Sequence, residues 1–265
     1  MTAKSPHCIY RVEQAGRPQH VIRIDDRWHH LDGDLFDEYA PGRPFDPAAL
    51  RVLAPVEPSK IVAVGLNYRD HAREMNKALP DVPLIFLKPP SAIIGPGEAI
   101  VLPPGAGRVD YEGELGVVIG ARAHRVTAAE AENYILGLTC VNDVTARDLQ
   151  KRDVQYTRAK GFDTFAPIGP CIAVGVVSDE LDVESWVNDQ RRQASNTRQL
   201  IFGVHRLVEF ISSVMTLLPG DVISTGTPSG VGPLAPGDRV VVTVGGVGTL
   251  ANQVVGEDPA SGEQP

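Results

Sequence analysis

The stretch that most limits what this chain can become is Val109 to Gly120, VDYEGELGVVIG. Its alternation reads as a strand, with Leu115, Val117 and Ile119 on one face and Glu112 and Glu114 on the other. Same-face neighbours on a strand lie roughly 6.5–7 Å apart, so the two carboxylates repel unless something positive sits between them. An E-x-E pair on a solvated edge strand has the same sequence signature. Asp143 adds a third acid. It follows ILGLTCVN, residues 135–142, a β-rich run, and so stands where a strand ends. Three carboxylates from two strand regions are the hard-oxygen set that Mg²⁺, Mn²⁺ or Ca²⁺ takes. Zinc does not suit the set, because nitrogen and sulfur ligands are missing around it.

Composition narrows the class of protein. With 265 residues the chain can bury a large core, and 43% hydrophobic with 22% charged residues is ordinary for a globular protein. A net charge of −8 without a basic run argues against a nucleic-acid partner. Cys8, Cys140 and Cys171 are odd in number and scattered, which suggests neither a disulfide framework nor a zinc site. The N-terminal residues lack a signal-peptide core and no window approaches 18 apolar residues, so the expectation is a cytoplasmic protein with no membrane association.

Taken in order, residues 8–32 read as short strands with polar turns, and His29 and His30 as surface residues facing opposite sides. A short helix is expected near Pro47, and the Pro-containing LAPVEPSK (53–60) as a linker. The strand IVAVG (61–65) leads into LNYRDHAREMNKAL, a helix that Asn67 could cap. On that helix His71 and Glu74 share a face, either as a base oriented by a carboxylate or as a plain surface pair. Residues 83–104 alternate short strands with Pro/Gly turns, and Lys88 and Ser91 could line a pocket there. After Asp143 a helix VTARDLQKRD carries Arg147 and Gln150 on the face nearest the strand end. Lys160 falls in a loop, facing a ligand or simply exposed.

Further on, CIAVGVV (171–177) reads as a buried strand and residues 180–202 as a polar, hairpin-like excursion. Residues 203–217 form an amphipathic helix with Leu207, Phe210, Ile211, Val214 and Leu218 in its apolar pattern, ending at Pro219-Gly220 and carrying His205 as a surface or capping residue. The glycine-dense tail end contains neither a nucleophile elbow nor a phosphate loop. Gly226 to Gly232 instead reads as a backbone-donor loop able to hold a carboxylate, with Thr227 adding a hydroxyl.

The motifs GLNYRDHAREM, FLKPPSAIIGPG, DYEGELGVVIG, VNDVTARDLQ, KGFDTFAPIGP and PGDVISTGTPSGVG, in this order over residues 60–255, together resemble the fumarylacetoacetate hydrolase family. The resemblance implies an α+β, β-rich fold, a mixed β-sandwich roll after a small N-terminal β-rich domain, usually dimeric. It divides the chain into a small domain (1–55) and a catalytic domain (56–256), and the polar residues 257–265 read as a disordered tail. It implies Mg²⁺ or Mn²⁺ on Glu112, Glu114 and Asp143, and water activation by His71 with Glu74. It also implies substrate contacts from Arg147, Gln150, Lys160 and Thr227.

The reaction so implied is hydrolysis of the C–C bond of a 2,4-dioxo acid of acylpyruvate or fumarylpyruvate type. His71 would deprotonate a water that attacks C4, Lys160 and Gln150 would stabilise the oxyanion, and cleavage would leave a metal-bound pyruvate enolate. Decarboxylation of oxaloacetate, or isomerisation of a 2-hydroxydienedioate in aromatic catabolism, uses the same enolate. A second carboxylate on the substrate would suit Arg191, Arg192 or Arg198, which are equally explained as solvated. A non-catalytic binder of metal or dicarboxylate would have no need of His71, Glu74 and Lys160.

Overall fold

A computed structural model describes residues 6–48 and 50–257 of the chain. Most of its strands join one large mixed sheet. In spatial order the sheet runs Tyr39–Pro44, Arg27–Gly33, Arg17–Ile24, His7–Gln14, Ala166–Val174, Ile135–Asn142, Gly113–Ile119, Val222–Ser224, Ile61–Val64 and Ile85–Lys88. A smaller sheet packs on it, in the order Gln190–Asn196, Asp182–Val187, Arg239–Val244, Gly248–Gly256 and Ala99–Leu102. This is the strand-rich, several-sheet architecture that the family resemblance implies.

The E-x-E strand lies deep in the large sheet. Gly113–Ile119 pairs antiparallel with Ile135–Asn142 on one side and Val222–Ser224 on the other. Leu115, Val117 and Ile119 face a core shared with the helix Val204–Val214 and with Val183, Val242 and Leu250 of the second sheet. Val118 faces a second core with Ile9, Ile61, Val141 and Ile172. The solvated-edge reading is therefore overturned. With both faces covered, apolar side chains are needed on each, which is why Val117 and Val118 stand side by side.

The N-terminal strands extend the same sheet, because His7–Gln14 pairs with Ala166–Val174. Residues 53–60 do not form the expected linker. Leu53 N–H donates to Arg11 O at 2.8 Å, and Ala54 and Val56 are buried. The helix expected near Pro47 is also absent. Tyr39–Pro44 is a strand, and the described residues after it are turn and coil as far as Leu50, where the short strand Arg51–Val52 follows. The helix after Gly65 is short, Arg69–Glu74, and ends before Asn76 takes φ +51°. The later helix stops at Val214, because Met215 becomes extended and Leu217 pairs with Ala123. Val214 is consequently exposed. Of the expected disordered tail, Glu257 donates its N–H to Leu102 O at 3.1 Å and the rest lies outside the described residues. No helix among the described residues is long and apolar enough to cross a membrane.

The prediction from this packing concerns Leu115, which is fully buried between the two sheets and the helix. Leu115→Ala should cost about 2–5 kcal/mol in urea unfolding of the metal-free protein, since so central a site closes poorly over a cavity. A loss below about 1 kcal/mol would mean that the strand is not held as described.

Candidate active site and metal centre

Register brings the three acids together. Gly113 opposes Asn142 in the antiparallel pair, so Glu112 stands across from Asp143. Asp143 N–H donates to Glu112 O at 2.8 Å, and Glu112 N–H to Asn142 Oδ1 at 3.0 Å. Glu114 lies two residues along on the same face. One carboxylate oxygen from each of Glu112, Glu114 and Asp143 lies within 4.8 Å of the others, and all three residues are buried. Gly113 between them is forced by space: a Cβ there would lie 2.0 Å from Ser185 Oγ.

Buried like charges at this spacing need counter-charges, and three cations provide them. Lys88 Nζ donates to Asp143 Oδ1 at 2.5 Å and to Val144 O at 3.1 Å. Lys160 Nζ donates to Asp143 Oδ2 at 2.5 Å and to Glu112 Oε2 at 2.8 Å. Arg147 reaches Glu112 Oε1 at 2.5 Å, Asp110 Oδ2 at 2.9 Å and Gln150 Oε1 at 2.7 Å. Lys160 is not in a loop and not exposed. It ends the helix Thr157–Lys160, is 2% exposed, and its ammonium lies 5.0 Å from the centre of the Phe86 ring. Ser91, by contrast, is exposed on the 3₁₀ turn Pro90–Ala92, and none of these hydrogen bonds reaches it.

Glu112 and Glu114 shift in opposite directions. Burial alone would raise Glu112, but Lys160 and Arg147 bring it down to about 2. Glu114 has no cation on it. Burial, then the charges of Asp143 and Glu112, push it well above the ordinary range. Its Oε2 accepts from Ser224 Oγ at 2.5 Å and from Gly226 N–H at 2.8 Å. Burial pushes the Lys88 ammonium down while Asp143 pulls it up. Lys160 goes the other way: burial opposes the charge, and Asp143 and Glu112 together overcome it.

The glycine-dense loop does hold carboxylates, but they are the protein's own. Gly226 N–H binds Glu114, and Gly230 N–H donates to Glu74 Oε1 at 3.1 Å. Gly226 sits at φ +99°, and a Cβ there would meet Asn67 Cβ at 2.7 Å. The Thr227 hydroxyl donates to Gly113 O at 2.9 Å and accepts from Gln193 Nε2 at 2.8 Å. Asn67 is not a helix cap. Buried, it donates to Phe202 O and Thr225 O and accepts from Phe202 N–H, tying the loop to the short helix.

On that helix, His71 Nδ1 and Glu74 Oε2 are 2.8 Å apart. Gly230 O accepts the Tyr111 hydroxyl at 2.8 Å, so the dyad is anchored to the residue just before Glu112. Of the three arginines, Arg191 pairs with Glu184 at 3.0 Å, Arg192 has its backbone against Gly230, and Arg198 is exposed.

Several contributors were not singled out in the sequence. Asp110 continues the alternation as D-x-E-x-E, so its signal was present. Ser224 and Gln193 are visible only once the sheet pairs. Tyr68 lies within a quoted motif. It is 0% exposed and its hydroxyl has no hydrogen-bond partner. Burial pushes its phenol far up, and the nearby charge of Glu114 adds to the shift.

The raised Glu114 carboxyl gives a prediction for metal-stripped protein. Its ionised form is disfavoured in the fold. The penalty is therefore absent where the group is protonated in both folded and unfolded chains, below the ordinary value of 4.5, and grows as pH rises through it. Glu114→Gln keeps an oxygen for Ser224 and Gly226. In EDTA at pH 7 it should melt several degrees above wild type, at roughly 2–4 °C per kcal/mol relieved, and the gap should close towards pH 4. A variant less stable than wild type at pH 7 would contradict this account of the site.

Comparison with known proteins identifies the family. The family model described as fumarylacetoacetate (FAA) hydrolase C-terminal matches residues 60–255. A protein of Archaeoglobus fulgidus is 52% identical over 88% of this chain and 92% of its own length. The mitochondrial oxaloacetate tautomerase FAHD2B of Bos taurus is 43% identical over 77% of this chain and 69% of its own. Among solved structures, the 5-carboxymethyl-2-hydroxymuconate delta-isomerase of Mycobacterium smegmatis superposes with a TM-score of 0.89. It is 45% identical, with 94% of this chain and 100% of that one covered. The 2-hydroxyhepta-2,4-diene-1,7-dioate isomerase of Mycobacterium marinum gives 0.88 at 42% identity, covering 94% and 98%. With the acidic trio, the histidine dyad and the match over residues 60–255 in hand, the chain belongs to the fumarylacetoacetate hydrolase C-terminal family.

Proposed function

We propose that this protein is an enzyme of 2-oxo acid enolate chemistry, moving a proton at C3 of an oxo dicarboxylate in a tautomerisation or double-bond isomerisation. The observation that carries the reading is the His71–Glu74 dyad tethered through Gly230 and Tyr111 to the buried carboxylate trio. The relatives named as an oxaloacetate tautomerase and as isomerases support this branch.

The donor set fits a hard divalent cation. Glu112, Glu114 and Asp143 offer carboxylate oxygens alone, with no nitrogen or sulfur ligand in the cluster. Those three residues would hold Mg²⁺, Mn²⁺ or Ca²⁺, which supplies Lewis-acid polarisation of a 2-oxo group and a template for the adjacent carboxylate.

The chain's own residues do the rest. Glu74 against Nδ1 keeps a proton there and leaves Nε2 of His71 as the base. Nε2 takes the C3 proton, and the electron pair moves into the C2–C3 bond as the 2-oxo oxygen becomes an enolate. The resulting imidazolium returns the proton to oxygen, giving the enol, or to another carbon of a conjugated chain, giving the isomer. Lys160, kept charged by Asp143 and Glu112, donates to the oxygen that gains charge. Arg147 fixes Glu112 and Gln150 in place.

Hydrolysis of a 2,4-dioxo acid is the second reading, favoured by the same dyad. Nε2 would take its proton from a water that adds at C4.

A turnover panel on metal-stripped protein, with Mg²⁺ or Mn²⁺ restored, separates the two. Enolisation of oxaloacetate or isomerisation of a 2-hydroxydienedioate should be metal-dependent and fall about 10²–10⁴-fold in His71→Ala, the usual range for a general base. Release of pyruvate from acetylpyruvate or fumarylpyruvate would favour hydrolysis instead. Full activity of His71→Ala on every substrate would remove the dyad from the chemistry.

A further inference from the structure

The three cysteines, scattered along the sequence, fall on adjacent strands of the large sheet. Cys8 lies on His7–Gln14, Cys171 on Ala166–Val174 and Cys140 on Ile135–Asn142. All three are free thiols, and none belongs to the acid cluster.

Cys8 and Cys171 are the pair that touches. In the antiparallel register Cys8 stands opposite Ala173, so Cys171 is its diagonal neighbour on the same face. Their side chains are hydrogen-bonded. Cys171 has one thiol proton to give and two acceptors within reach, Val247 O at 3.3 Å and the Cys8 sulfur. Donation to Cys8 brings that thiol down to about 7 against the opposing effect of burial, and the charge of Arg23, directly across on the next strand, adds to it. Arg23 is fixed there by an ion pair with Asp26 and by its bond to the Tyr10 hydroxyl at 3.4 Å. Tyr10 itself stays neutral, since burial pushes its phenol up to about 12.

Cys8 is also within reach of solvent. It is only partly buried and lines an open cavity of about 230 Å³ with His7, Arg23, Asp25, Ala173 and Val176. Cys140 differs on each count. It is fully buried, burial pushes its thiol up to about 12, and its S–H goes to Gly248 O at 3.3 Å. A cysteine kept only for packing looks like Cys140.

We infer that Cys8 and Cys171 form a reversible thiol–disulfide pair, in which Cys8 meets hydrogen peroxide and Cys171 resolves the product. The Cys8 thiolate attacks one peroxide oxygen, the O–O bond breaks, and the other oxygen leaves as hydroxide and takes a proton to become water. Cys8 is then a sulfenic acid. The Cys171 sulfur attacks it, the S–O bond breaks, and the hydroxyl leaves with the Cys171 proton as a second water. Two electrons pass from the two thiols to the peroxide. Diagonal neighbours lie roughly 7–8 Å apart at Cα, just past the usual span of a disulfide, so closing the bond pulls the two strands together and leaves it strained. Strained disulfides are the readily reduced ones, which makes this pair a switch and not a permanent staple. The inference is independent of the enolate reading.

The test exposes the full-length, metal-stripped protein to a small excess of hydrogen peroxide, then counts free thiols after denaturation and maps peptides without reduction. Wild type should lose two of its three thiols, yield a Cys8–Cys171 linked peptide, and recover all three thiols with dithiothreitol. Cys140→Ser should form the same link. In Cys171→Ser, dimedone should trap the sulfenic acid on Cys8. Wild type that keeps three thiols would overturn the inference. So would a link through Cys140 or between two chains, or Cys8 passing to sulfinic acid while Cys171 stays free. The wild-type map decides the matter even if a variant fails to fold.

Discussion

The confinement of three carboxylates within 4.8 Å of one another in the interior is the constraint on which the rest of this structure depends. Unpaired buried charge is among the costliest features a fold can carry. Nearly every segment that meets the cluster brings a group that offsets it. The edge strand Ile85–Lys88 brings Lys88, the helix Thr157–Lys160 brings Lys160, and the helix Arg147–Asp153 begins with Arg147. The segment after strand Val222–Ser224 adds Gly226 to Ser224. Ion pairing of this kind does not by itself show a gain in stability. Apolar residues of similar volume are often no less stable than a buried ionic set, so stability alone does not account for the cluster.

The cations are unevenly shared. Glu112 and Asp143 accept from lysine or arginine, whereas Glu114 accepts from a hydroxyl and a backbone amide. Glu114 is therefore the acid with most to gain from an added positive charge, and its raised pKa has the same origin. Asn67 and the loop Gly226–Gly230 extend this arrangement outward to the helix that carries His71. One segment of chain thus binds Glu114 at one end and Glu74 at the other. The acid cluster and the histidine dyad are in this way parts of one rigid unit, which is what positioning for proton transfer requires.

Much of this was legible in the sequence, and the reasons for the rest are physical. The alternation of Leu115, Val117 and Ile119 declared the strand, and the spacing of Glu112, Glu114 and Asp143 the acid set, because strand geometry fixes which side chains share a face. The His71–Glu74 pair followed from helical spacing. Burial was not legible. For Lys88 and Lys160 the sequence leaves a site residue and an ordinary charge both open, because their partners lie 55 and 17 residues away along the chain. Asn67 looked like a helix cap, since a polar residue before a helix has the same local signature whether it bonds forward or, as here, to residues more than 130 positions distant. No helix forms near Pro47 among the described residues: Phe45 N–H is taken by Trp28 O and Ala48 N–H by the Asp46 side chain.

The central claim is that Glu112, Glu114 and Asp143 are a site for one divalent cation, and a titration tests it most directly. Metal-stripped protein would be titrated with Mn²⁺ while free ion is followed by electron paramagnetic resonance, beside Asp143→Asn. The account predicts one Mn²⁺ bound per wild-type chain and binding lost or greatly weakened in the variant. Equal affinity in both proteins, or no binding by wild type, would contradict it.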